Sequence, residues 1–235
     1  HVQGNYLGLY TNTESVNKQF LEKHFDEKDG VLFKCDPAGQ FGQSSLGEAN
    51  LDWLGTDSTQ YFDSYEIKSE VGWGALINMI NTMHNDPANI DSVLNMDRVL
   101  WAFAVNTVIA NLDTYNGYFQ HNYYLYQTED GLFQMIPWDV TESFVGALVN
   151  FDSNYDIFYE YDPYTGSNSW WQPLNIFINN HPYYKELYTA HIRTVLEESL
   201  IASDIEDYVE YLQNIAAPSA TVDPNKWFPM SQFYN

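Results

Sequence analysis

Asp113, Asn122 and Asp139 are the residues of this chain whose types and spacing could do chemistry. The stretch NYYLYQTEDGLFQMIPWD, residues 122–139, carries strand-like runs on both sides of Thr128-Glu129-Asp130-Gly131, the pattern of a tight β-hairpin. Centring the turn on those residues makes 122 face 137. Asn122 and Asp139 then emerge together at the open end. An apolar run over 97–112 ends at Leu112-Asp113, which brings Asp113 into the loop that feeds this same end. Two carboxylates and an amide are hard oxygen donors. They suit Mg²⁺, which binds one or two carboxylates and completes its shell with water and phosphate oxygens. Any one of these residues, taken alone, is more often an Asx-turn or a cap.

Several elements must hold this end together. Residues 15–25 place apolar side chains at 16, 20, 21 and 25, which predicts an amphipathic helix. Residues 31–34 and 65–68 read as short strands, and 36–60, rich in Gly, Ser, Asp and Gln, as a long loop. Leu76, Ile77, Ile80 and Met83 share one face of a helix expected over 75–83. Residues 97–112 are apolar almost all round, as in a buried central helix. An aromatic and acidic loop is expected over 150–171, then helices near 182–200 and 204–216. Ser203-Asp204-Ile205-Glu206 has the pattern of a capping box. At the start, Gly4-Asn5 between strand-like residues signals a hairpin turn whose second strand is Tyr6–Glu14. Its partner is expected before His1, so the chain reads as a fragment beginning inside a sheet.

The chain has 235 residues, 45% of them hydrophobic, with 19 Tyr, 14 Phe and 7 Trp, enough for a large core. Asp and Glu number 32 against 9 Lys and Arg, a net charge of −23. That field excludes nucleic acid as a partner, opposes anionic membranes, and attracts divalent cations or basic peptides. It also suits an extracellular or cell-surface setting. Cys35 is the one cysteine, so no disulfide and no cysteine-based zinc site forms within the chain. No apolar run is long enough to insert across a membrane. There is no P-loop pattern, and Gly39, Gly42 and Gly47 make no dinucleotide cradle. Asp152, Asn154 and Asp156 begin like a calcium loop, but Ile157 and Pro163 stand where that loop needs Gly and Glu. The histidines show no zinc spacing, and His121, beside Asn122, is expected to support the site rather than to touch phosphate or substrate.

A catalytic Asp, then a metal-binding Asn, then a hairpin, then a metal-binding Asp is the order found in protein kinases. Here Asp113 and Asn122 are nine residues apart (122 − 113), against about five in the usual catalytic loop. Asn111-Leu112-Asp113 replaces His-Arg-Asp. Longer matches point to one family. GNYLGLYTNTESV (4–16), FLEKHF with GVLFKCD (20–36), YEIKSEVGWGALINMINTM (65–83), LDTYNGYFQHNYYLYQ (112–127) and FQMIPWDVTESFVG (133–146) together resemble the spore coat protein H (CotH) kinase family.

The resemblance implies an α+β fold: an atypical protein-kinase-like fold with a reduced N-lobe remnant over 1–70 and a mainly helical C-lobe over 71–235. It implies transfer of phosphate from ATP to Ser or Thr of a protein, with Mg²⁺ or Mn²⁺. Asp113 matches the catalytic Asp, and Asn122 and Asp139 match the metal residues. Leu9 and Glu14 lie on the strand that would border the adenine. Thr141 and Val145 depart from the family pattern. The lysine that grips ATP phosphates is expected upstream of residue 1, which would leave the isolated fragment inactive. Lys34 and Lys68 match other positions. The alternative reading is a degenerate adhesion or carbohydrate- or protein-binding module that uses the aromatics of 150–171.

Overall fold

The computed structural model describes residues 2–36, 48–144, 162–164, 172–226 and 229–234. At its centre is an antiparallel sheet of four strands in the order β2-β1-β3-β4, formed by β1 (Val31–Cys35), β2 (Glu66–Ile67), β3 (Tyr123–Gln127) and β4 (Phe133–Pro137). Side chains alternate across it, as the pleat requires. Phe33, Cys35, Tyr123, Leu125, Phe133 and Met135 join the larger core, while Leu32, Tyr124, Tyr126 and Ile136 face the other way.

Helix α1 (Lys18–Phe25) covers that second face with Leu21 and Phe20, and the Phe25 ring lies 5.2 Å from that of Tyr126. Asn17 caps α1 by accepting the Gln19 and Phe20 amides. The larger core is built by α2 (Trp73–Asn85), α3 (Met96–Val108), α4 (Pro173–Asn180) and α5 (Pro182–Thr194). A long helix, α6 (Ala202–Thr221), follows, and α7 (Met230–Phe233) is a single turn. The result is a mixed fold of helices around a small antiparallel sheet, of the α+β type. Strands from both sides of residue 70 share that sheet. No described helix is long and apolar enough to cross a membrane.

Several expectations change. The Gly4-Asn5 signal is realised only as a tight turn, in which Val2 and Asn5 exchange backbone hydrogen bonds with Gln3 and Gly4 at positive φ. Residues 6–15 form no strand. Their polar groups are met from the end of α6: Tyr6 donates to the Ser219 carbonyl, the Leu9 amide donates to Asp223, and Asn225 donates to the Leu7 carbonyl. Strand propensity without a paired edge does not make a strand.

The central helix ends at Val108, four residues before the expected 112. Ala110 adopts φ 48°, its amide bonds Thr107, and the Asn111 amide reaches back to Asn106, which is a Schellman cap. The hairpin register also shifts by one. Thr128 bonds across to Leu132, the loop runs over 128–132, and Tyr123 faces Pro137. The capping box does not form, because α6 begins at Ala202 with Ile201 at its cap, and Ser203 already lies in the first turn. That helix also runs through Pro218 to Thr221. Helix α4 was not anticipated. The calcium-like stretch and the aromatic loop, apart from residues 162–164, lie outside the described residues.

Candidate active site

The sheet register builds one edge of the site. Cys35 pairs with Tyr123, and Tyr123 pairs with Pro137. One step further along, Asp36 leaves β1, Asn122 enters β3, and Trp138 leaves β4 with its amide donating to the Asn122 carbonyl at 2.9 Å. Asn122 and Asp139 both adopt positive φ, 58° and 48°. Asn and Asp tolerate that region better than most side chains. The chain therefore turns sharply out of the sheet at both positions.

The other edge is the loop after α3. Several of its buried side chains bond to one another and to α3: Asn111 donates to the Asn106 side chain, Asn106 to Thr114, and Asn116 to Thr107 and to the Phe103 carbonyl. Gln172, at the start of α4, donates to the carbonyls of Tyr115 and Gly117. At Gly117 a Cβ would stand 2.2 Å from the Leu112 carbonyl oxygen, so only glycine fits this approach. Asp113 is held on this framework.

The two edges meet at Asp113. His121 Nε2 lies 2.5 Å from Asp113 Oδ1, and Asn122 Nδ2 donates to Asp113 Oδ2 at 3.1 Å and to the Asp113 carbonyl at 2.9 Å. His121 Nδ1 stands 3.7 Å from Asp36 Oδ1, an ion-pair separation beyond hydrogen-bond length. Lys34 Nζ bonds the other Asp36 oxygen at 2.5 Å. Burial of the His121 ring pulls its pKa down, but Asp113 and then Asp36 outweigh this and raise it to about 9. The ring is thus an imidazolium at neutral pH. Asp36 is held at about 2, first by His121, against burial, with Lys34 adding to the effect.

Of the residues expected from the sequence, Asp113 and Asn122 are in direct contact. Asp139 shares the hairpin end, but its Oδ1 accepts the Thr141 hydroxyl at 2.6 Å and the Thr141 amide at 3.3 Å. Glu14 is exposed and engaged by Lys23 and His24 on α1, and the Leu9 amide by Asp223. His121 contacts Asp113 itself. Asp36 and Lys34 were missed as site residues. Lys-Cys-Asp at a strand end carries no local signal, and only the β1–β3 register reveals it.

Among the described residues, no group of three or more His, Cys, Asp or Glu is gathered to hold a metal by itself. Each Asp113 oxygen accepts one N–H group, which leaves each with a lone pair for a hydroxyl. Asn122 turns its amide nitrogen to Asp113, which points its carbonyl oxygen away. That oxygen and the Asp139 carboxylate, which leaves the same hairpin end, are two hard donors there.

No curated protein and no solved structure matches the chain. A family model described as CotH kinase protein matches residues 1–234. Covering essentially every residue that forms this sheet, this loop and this site, the match shows that the chain belongs to the CotH kinase family.

Proposed function

We propose that the protein transfers the γ-phosphoryl group of ATP to a Ser or Thr hydroxyl of a protein substrate, and that it needs Mg²⁺ or Mn²⁺ to do so. The observation that carries this reading is the contact of Asp113 with Asn122 at the hairpin end from which Asp139 also leaves. A fixed carboxylate, a neutral amide and a second carboxylate stand there in the chain order that phosphoryl transfer uses.

Asp113 orients the acceptor hydroxyl and takes its proton as the oxygen attacks phosphorus. The His121 imidazolium and the Asn122 amide hold the carboxylate in place. Asn122 Oδ1 and Asp139 would hold the metal, which supplies positive charge to the phosphate oxygens. The −23 charge opposes approach of bare ATP and favours a basic acceptor segment.

Binding and turnover separate the roles. Asp139→Asn abolishes metal-dependent nucleotide binding in isothermal titration. Asp113→Asn leaves that binding largely intact and lowers turnover of the whole protein by about 10²–10⁴-fold, the usual share of a positioned acid or base. Near-wild-type turnover in either variant would sink the assignment.

A further inference from the structure

Asp113 sits on a loop, yet its carboxylate is tied to the sheet through a chain of charges. Lys34 and Asp36 flank Cys35, the fully buried last residue of β1, a strand paired on both sides. Lys34 holds one oxygen of Asp36, and the other faces His121 Nδ1. The opposite ring nitrogen holds Asp113. The side chains of Asp36, His121 and Asp113 are 29%, 17% and 15% exposed, so solvent screens them only in part. An imidazole that meets a carboxylate at each nitrogen cannot rotate without losing one of them.

We propose that Asp36, acting through His121, is a positioning residue that fixes the orientation of the Asp113 carboxylate. The two Asp36 oxygens meet Lys34 and His121, so its effect reaches Asp113 through the ring. The catalytic consequence rests on the kinase reading of the site; the mechanical one does not. A carboxylate that must meet an incoming hydroxyl loses rate steeply when misplaced, by as much as about 10²-fold for a shift of about 1 Å.

Two measurements test the bridge. In phosphotransfer assays of the whole protein, Asp36→Asn should lower kcat by about 10-fold and leave the KM for Mg·ATP unchanged. His121→Gln should lower kcat at least as much, and adding Asp36→Asn to it should cost nothing more, because the link is already cut. A general loss of structure would move KM and add in steps. In urea unfolding, Asp36→Asn and Asp113→Asn should be coupled. The unfolding constant of the double variant should differ several-fold from the product of the single effects, and this coupling should vanish in the His121→Gln background. Asp36→Asn keeps the side-chain shape at a partly exposed position, so the variant folds. Wild-type kcat in Asp36→Asn, with Asp113→Asn inactive, would overturn the positioning role and leave the kinase reading standing. No transfer by any form, with the coupling through His121 intact, would overturn the kinase reading and support the bridge. Additive stabilities would overturn the bridge itself.

Discussion

A carboxylate on a loop is only as well oriented as its donors make it, and Asp113 has a donor on each oxygen. The charge balance around it has a measurable acid limb. Asp36 is held at about 2 by His121, against burial, with help from Lys34, while an ordinary aspartate titrates near about 3.9. Ionised Asp36 therefore stabilises the fold. That contribution is fully present above about pH 4 and is lost as pH falls through about 2. Asp36→Asn should lower the urea midpoint at pH 7, and its gap from the wild type should close as the pH is taken from 4 towards 2. A gap that stays constant over that range would show that the carboxylate is not paired in solution.

At the scale of elements, the decisive piece is the loop between α3 and β3. The helix stops on a Schellman cap whose left-handed residue is Ala110, at some cost relative to glycine. Buried amides then bond the loop to α3 and α4, and Gly117 lets the chain pass over the Leu112 carbonyl, which accepts the Tyr118 amide at 2.8 Å. A methyl group at 117 would meet backbone atoms of Leu112 at 2.2 and 2.5 Å, and these cannot swing aside as a side chain could. Gly117→Ala should destabilise the protein by at least about 2 kcal/mol, in the range of overpacked interiors. It should also displace Asp113, four residues earlier in the same loop (117 − 113). Calorimetry would detect the lower Tm, and an unchanged Tm would mean that the loop is looser than its hydrogen bonds indicate.

The whole molecule carries −23 charges on 235 residues, with few cations to offset them. Among the described residues the Lys–carboxylate pairs are mostly exposed, such as Lys18–Asp29 and Lys23–Glu14, and exposed pairs contribute little. Repulsion among the remaining carboxylates opposes the compact state. Raising NaCl from about 10 mM to about 500 mM shortens the screening length from about 30 Å to a few ångströms. The thermal midpoint should therefore rise with salt. A midpoint that falls with salt would show that attractive pairs, rather than the excess charge, dominate the balance.

The elements legible in the sequence were those specified by local chemistry. Helix α1, strands β1 and β2, helix α2 and the hairpin follow from apolar period and turn residues, which act over a few positions. The convergence of Asp113 and Asn122 was legible for the same reason, since a buried helix and a hairpin adjoin in the chain. Where a local signal was missing or misleading, the reading failed. Ala110 ends α3 in a conformation usually marked by glycine, apolar Leu132 belongs to the loop rather than to β4, and Tyr6–Glu14 has strand-like residues but no paired edge. The bridge from Asp36 to Asp113 was beyond any local pattern. It depends on β1 lying beside β3 in one register, which puts residue 36 opposite residue 122. Pairing between segments so far apart is chosen by burial of both sheet faces, and burial is a property of the folded whole.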